Sequence, residues 1–232
     1  MKSKKKAIVL LSGGLDSTTT LALAIERGFS PVGLSFTYGQ RHSVEMEAAK
    51  KVADFFKVEE QIVLDLPLAQ IGGNVLTDSS GEVPHNQEET AEDDIPPTYV
   101  PARNTIFLSY ALAVAEVKEI TDIFIGVSSV DYSGYPDCRP RFIESFEEMA
   151  NQATKLGMHG NKIKIHAPLM QLDKAQTIKA GLKLGVDYSI THTCYDPDEQ
   201  GRACGECDSC RLRLKGFFRL GIEDPAVYRK KP

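Results

Sequence analysis

Nothing in the 232-residue chain reaches the ~18 consecutive apolar residues that a transmembrane helix requires, and no export signal is read at its start. Membrane and secreted readings are set aside, and the cytoplasm is the expected compartment. Nor is there an excess of positive charge. Lys and Arg number 27 against 32 Asp and Glu, a net charge of −5, which argues against a chain built to grip nucleic acid. Cysteine is scarce, at five residues, and without an export signal those five point to thiols or a metal rather than disulfides. Lys and Arg are missing altogether from Val58 to Ala102. Inside that stretch residues 78–97 are acidic, polar and rich in turn formers, which reads as a solvated mobile loop. A lid over an anionic substrate would not normally be so acidic. Internal repeats are also absent, as are low-complexity tracts beyond the basic start at Lys2, Lys4, Lys5 and Lys6.

What is present is an ordinary globular composition, 42% hydrophobic and 25% charged, at a length suited to one large domain or a main domain with a small appendage. Short apolar runs alternate with amphipathic helical stretches, the pattern of a doubly wound, mostly parallel α/β sheet with helices on both faces. Strands are expected at Ala7–Leu11, Val32–Phe36, Gln61–Leu64 and Ile123–Val127. Helices are expected over Ser17–Glu26, from a Ser43 cap through Phe55, over Asn104–Val117 and Arg141–Lys155, and from Asp173, where Gln176 completes a capping box. Periodicity ends after Val186. Residues 1–186 are therefore the expected nucleotide-binding domain, and 187–232 a metal-binding segment packed on it.

Two motifs carry chemistry. Ser12-Gly13-Gly14-Leu15-Asp16-Ser17 joins the first strand to the first helix. Glycines there let backbone N–H groups turn toward an anion, the helix N-terminus adds partial positive charge, and the Ser12, Ser17 and Thr18 hydroxyls can donate to phosphate. Asp16 would repel phosphate unless Mg²⁺ bridges it to the nucleotide. The competing reading is a plain glycine turn with Ser or Asp as cap. The candidate ATP-binding run is Leu11, Ser12, Gly13, Gly14, Leu15, Asp16, Ser17, Thr18, Thr19, Thr20 and Leu21. It is neither a Walker A loop, lacking the terminal Gly-Lys-Ser/Thr, nor a dinucleotide fingerprint. The second motif is Cys194, Cys204, Cys207 and Cys210, spaced C-x9-C-x2-C-x2-C. Four soft sulfurs satisfy tetrahedral Zn²⁺, and a closed shell makes such a zinc structural. An iron–sulfur cluster is the competitor, although the fourth cysteine followed by Pro of the ferredoxin run is missing. His192 is left outside the shell, and Cys138 is read as packing.

The loop resembles the SGGxDS pyrophosphate loop of the N-type ATP pyrophosphatases. The chain also carries Phe36-Thr37-Tyr38-Gly39-Gln40-Arg41-His42, Val100-Pro101-Ala102-Arg103-Asn104, Asp131-Tyr132-Ser133-Gly134-Tyr135-Pro136-Asp137-Cys138-Arg139, Ala167-Pro168-Leu169 with Lys174, and Thr193-Cys194-Tyr195. Together these resemble the 7-cyano-7-deazaguanine synthase family, the nitrile-forming ligases of the queuosine and archaeosine pathways, from about Ala7 to Gly216. Ala102 departs from the pattern, standing where that family usually shows Gly.

The resemblance implies a ligase acting on 7-carboxy-7-deazaguanine, ammonia and ATP, with one structural Zn²⁺ per chain, Mg²⁺ accompanying ATP, and a homodimer. It implies no nucleic-acid or membrane partner, and free ammonia rather than ammonia from a fused glutaminase. Asp16, Lys174 and Arg103 are the expected catalytic residues, Lys174 meeting phosphate and Arg103 gripping phosphate or carboxylate. Arg41, His42, Asp131, Tyr132, Tyr135 and Asp137 are expected at the substrate, with Asp131 and Asp137 reading the base and a tyrosine stacking on the heterocycle. Whether ATP leaves as AMP or ADP stays open. The alternatives are a tRNA sulfurtransferase of the same superfamily and a zinc-dependent docking module.

Overall fold

A computed structural model describes residues 4–39, 44–77, 82–86, 95–131 and 134–230. Ser43, Arg41, His42, Tyr132 and most of the acidic stretch lie outside the described residues. Five parallel strands, β1 (Lys6–Leu10), β2 (Ser30–Thr37), β3 (Glu60–Asp65), β4 (Asp122–Phe124) and β5 (Lys164–His166), form one sheet in the order β3-β2-β1-β4-β5. The helices are α1 (Leu15–Glu26), α2 (Val44–Phe55), α3 (Arg103–Lys118), α4 (Pro140–Ala153), α5 (Lys155–Met158), α6 (Lys174–Lys183) and α7 (Asp208–Arg219). No helix among the described residues is long and apolar enough to cross a membrane.

The near-continuous apolar run of β1 is buried on both faces because helices cover both. Ile8 and Leu10 join Leu108 of α3 and Phe146 of α4 in the largest core cluster. Ala7, Val9 and the adjoining Leu11 face Leu21 and Ala24 of α1 and Val52 of α2. The far side of α1 gives Leu15 and Ala22 to a third cluster with Ile178 of α6, Tyr188 and Phe217 of α7. The doubly wound sheet expected from the alternation is therefore present, with an outer layer of α6 and α7 against α1.

Most expected elements appear within a residue or two. α1 ends as Gly28 suggested: Gly28 takes φ +88 and the Phe29 N–H donates to Ala24 O at 3.1 Å. At α6, Asp173 accepts the Gln176 N–H at 2.8 Å and Gln176 returns the bond to the Asp173 N–H at 3.0 Å. The helix expected over Arg141–Lys155 instead breaks at Thr154, whose backbone is extended and whose hydroxyl accepts the Gly157 N–H to start α5. β5 was not anticipated, since Lys164-Ile165-His166 offers one apolar residue and no alternation to detect.

Candidate active site

The site lies where the chain reverses across the sheet. From β1 the chain turns into α1 on one face and from β4 into α4 on the other, so the strand ends part into a crevice. Two glycines make the approach possible. Gly13 takes φ +78, and a Cβ there would lie 2.2 Å from the Ala49 nitrogen of α2. A Cβ on Gly126, past β4, would press at 3.1 Å on the Asp16 backbone. Leu11, Ser12, Gly14, Leu15, Asp16 and Ser17 line the crevice. Thr18, Thr19, Thr20 and Leu21 are fully buried instead, with the Thr18 hydroxyl donating to Gly14 O at 2.8 Å and that of Thr19 to Leu15 O at 2.9 Å. Thr18 thus spends its hydroxyl on the helix. The Ser17 hydroxyl donates to Gly14 O at 3.1 Å and accepts the Ser12 N–H at 3.3 Å.

Beside the loop, the first residue of α6 meets the first turn of α1. Lys174 Nζ donates to Asp16 Oδ1 at 2.7 Å and Oδ2 at 2.8 Å, and Asp131 Oδ2 lies 3.3 Å from the same ammonium. Burial pushes the Asp131 carboxyl above its ordinary range, against the pull of Lys174. Lys174 and Asp16, both expected at the nucleotide, are therefore brought together, and Asp131, expected at the base, stands with them rather than at the aromatic wall.

The other wall is aromatic and cationic. Arg103 lines the crevice at the start of α3 and, among the described residues, has no ion pair. Burial opposes its charge, but the facing Tyr38, Tyr195, Tyr135 and Cys138 outweigh it and hold the guanidinium above its ordinary value. Tyr135 is buried, its hydroxyl 2.8 Å from that of Thr98, and Phe36 stacks on Phe107 at 4.3 Å beside it in the lining. Asp137 turns away from the crevice. Its Oδ2 accepts the Asn104 N–H at 2.9 Å, which caps α3 where Ala102, held at φ +54, has no side chain to offer. That left-handed φ is the conformation a glycine would adopt without strain, costing Ala roughly 1 kcal/mol. The Cys138 thiol also lines the wall, and burial pushes it up to about 12. Tyr38, Asn104, Phe107 and Tyr195 were not singled out by sequence. Three of them stand inside the quoted motifs, so the signal was there without a role attached.

The third boundary is the cysteine segment. His192 donates its N–H to Gly13 O at 3.0 Å, and Thr193, Cys194 and Tyr195 line the crevice beside the loop. Cys194, Cys204, Cys207 and Cys210 are buried, with all four sulfurs within 4.8 Å of one another. A tetrahedral ion at 2.3 Å from each sulfur needs sulfurs roughly 3.8 Å apart, and Cys204 and Cys210 stand at 3.9 Å. Backbone N–H groups of Asp196 and Cys204 aim at the Cys194 sulfur, and those of Glu206 and Cys207 at that of Cys204, at 3.2–3.3 Å. Such donors stabilise thiolates, the form a metal binds. The cluster can hold a metal such as zinc.

A doubly wound sheet with an SGGxDS loop at its switch point defines an ATP-binding protein of the pyrophosphate-loop class. Its fold is shared with the solved structure of a predicted tRNA methyltransferase subunit from Methanocaldococcus jannaschii, at TM-score 0.50 and 13% identity over 97% of this chain and 93% of that one. The sequence pattern of the family described as queuosine biosynthesis protein QueC matches residues 6–221, and the chain belongs to that family. Relatives named 7-cyano-7-deazaguanine synthase include those of Syntrophotalea carbinolica, 60% identical over 98% of both chains, and Myxococcus xanthus, 58% identical over 97% of both.

Proposed function

We propose that the chain is an ATP-dependent ligase that converts 7-carboxy-7-deazaguanine and ammonia to 7-cyano-7-deazaguanine, as the names of its relatives suggest. The observation that carries the proposal is the convergence, in one crevice, of the phosphate loop, Asp16 and Arg103 beside an aromatic wall, with Lys174 paired to Asp16 at its edge. A carboxylate is a poor electrophile until its oxygen becomes part of a leaving group. Attack of that oxygen on the α-phosphorus of ATP gives an acyl adenylate and pyrophosphate. Ammonia then displaces AMP to leave an amide. A second activation, at the amide oxygen, lets AMP and protons depart and leaves the nitrile. ATP supplies the activation throughout, so no residue need be a covalent nucleophile, and the chain's work is positioning and charge stabilisation.

In this reading the loop N–H groups and the Ser12 and Ser17 hydroxyls hold the β- and γ-phosphates. Lys174 turns from Asp16 to the polyphosphate. Asp16 is the carboxylate that would hold Mg²⁺, an ion that neutralises phosphate charge when bound. Arg103 grips the substrate carboxylate, and Tyr135 with its aromatic neighbours walls the heterocycle. Asp137 serves that wall indirectly, by fixing the start of α3. The four cysteines hold a structural Zn²⁺ with no open position, so residues 187–232 are a metal-stapled segment of the domain formed by 1–186. The enzyme works in the cytoplasm as a homodimer. A sulfurtransferase would want a reactive thiolate in the crevice. The described thiols are the four gathered at the metal cluster and Cys138, which is buried with a pKa pushed up to about 12.

The test is to supply the deazapurine acid, ammonium and Mg-ATP, follow nitrile by mass spectrometry, and count AMP and ADP. Nitrile with two AMP per turnover is expected. ATP consumption that ignores the acid would overturn the proposal.

A further inference from the structure

Asp131 stands in the loop after β4, with its side chain only 7% exposed. Its Oδ1 accepts the backbone N–H of Lys174 at 3.2 Å, while Oδ2 faces that residue's ammonium at 3.3 Å. One carboxylate thus holds one lysine at both ends. The loop that carries it is stitched to the loop leading into α6. Ser128 Oγ donates to Leu172 O at 2.8 Å and accepts the N–H groups of Val130 and Asp131, and the Ser129 N–H and hydroxyl both donate to Met170 O at 2.9–3.0 Å.

The charges do not balance. Among the described residues, two carboxylates face one ammonium in a place largely closed to water, which leaves a net negative charge beside a loop that fits phosphate. The two acids are not equivalent, however. Asp16 lines the crevice, is 19% exposed and touches Lys174 through its side chain alone. Asp131 does not line the crevice and also binds the α6 backbone.

We infer that Asp131 is a positioning residue for the nucleotide: it is the standing counter-ion of Lys174, and it lets the ammonium pass from Asp16 to a polyphosphate without being left unpaired. The inference rests on the crevice binding ATP, as proposed above, and assigns Asp131 to the phosphate end rather than to the base. With Asp131 neutral, Lys174 and Asp16 would close into a one-to-one pair that phosphate must break.

Asp131→Asn keeps the acceptor for the Lys174 N–H and removes the charge. Calorimetry of the full chain with inorganic pyrophosphate, with Mg²⁺ held constant, should show affinity weakened about tenfold or more. In steady state KM for ATP should rise in parallel, with KM for the deazapurine acid within about twofold of wild type. The melting temperature should hold or rise, because the carboxyl removed is one that burial disfavours. A rise in KM for the acid with unchanged pyrophosphate affinity would return Asp131 to the base. Equal losses for both ligands with a lowered melting temperature would make it structural, and wild-type values throughout would remove the role. If pyrophosphate and ATP fail to bind the wild-type chain, it is the nucleotide reading of the crevice that falls.

Discussion

Two buried ion clusters in this molecule are built from similar parts and differ in how completely they are satisfied. In the C-terminal segment, Arg213 donates Nε to Asp224 Oδ2 at 2.8 Å, Nη1 to Thr191 Oγ1 at 2.7 Å, and Nη2 to both Asp224 Oδ1 and Tyr188 O at 2.9 Å. Tyr228 and the Ala226 N–H complete the Asp224 carboxylate. One charge meets one charge, and the guanidinium fork is used along its length. At the strand ends, Asp16, Lys174 and Asp131 leave one carboxylate in excess among the described residues. The first arrangement has nothing left to offer a ligand, and it ties α7 to the chain on either side. The second is incomplete by one charge and opens on a crevice. Burial alone does not separate a structural ion pair from a functional one; the residual charge does.

The comparison can be broken in four places beyond the Asp131 test. The largest effect should come from the staple that shares the C-terminal segment with Arg213. Structural zinc contributes on the order of 10 kcal/mol to small metal-folded units, so Cys207→Ser should lower bound metal and melting temperature together while Cys138→Ser leaves metal content alone. Metal analysis finding an unchanged metal content in Cys207→Ser would mean the ligand set is wrong. Next, Arg213→Ala strands Asp224 in the core and should destabilise by about 3–5 kcal/mol. Replacing both partners by apolar residues should restore much of that loss in urea unfolding. If the double variant is no better than the single, the cluster is not behaving as a closed pair.

In the open cluster the response should be kinetic instead. Asp16→Asn is expected to cut turnover by ~100-fold or more, a size typical of lost electrostatic stabilisation, with circular dichroism and melting temperature little changed. Near-normal turnover at limiting Mg²⁺ would sink the assignment. The smallest effect belongs to Asp122, at the opposite end of the sheet. Burial would raise its carboxyl, but hydrogen bonds from His166, Lys5 and Thr121 and the Lys5 charge outweigh it and hold it at about 2. A carboxyl lowered in this way stabilises the fold above its unfolded pKa of 3.8 and loses that contribution as pH falls toward 2. Asp122→Asn should therefore cost roughly 2 kcal/mol at neutral pH, and the gap to wild type should close between pH 4 and 2. A pH-independent gap would assign the cost to packing.

Local signals were legible because their partners are close in sequence. The Asp173–Gln176 box, the Gly28 stop and the turn of Ser12 to Ser17 each bond within a few residues, so composition at fixed offsets reports them. The cysteines were legible for a similar reason, since two-residue gaps let neighbouring sulfurs reach one ion. β5 was not legible, because a three-residue strand draws its ladder from β4 rather than from its own pattern. The contact that Asp137 makes was hidden for a different reason. An acid in a Tyr-Pro-Asp turn suggests a donor-reading carboxylate, whereas its partner is a helix start lacking a cap of its own.

The sequence by itself determined the class of fold, the phosphate loop, the four-cysteine cluster that can hold a metal and the family, because each is written in contiguous or closely spaced residues. Tertiary structure alone decided the strand order, the union of Asp16 with a lysine 158 positions away, and which of two buried arginine and lysine clusters keeps a charge in reserve. The physical reason is that these contacts are made between loops. Loop ends meet only after the sheet has set their separation, and no periodicity in the chain records which ends will face each other.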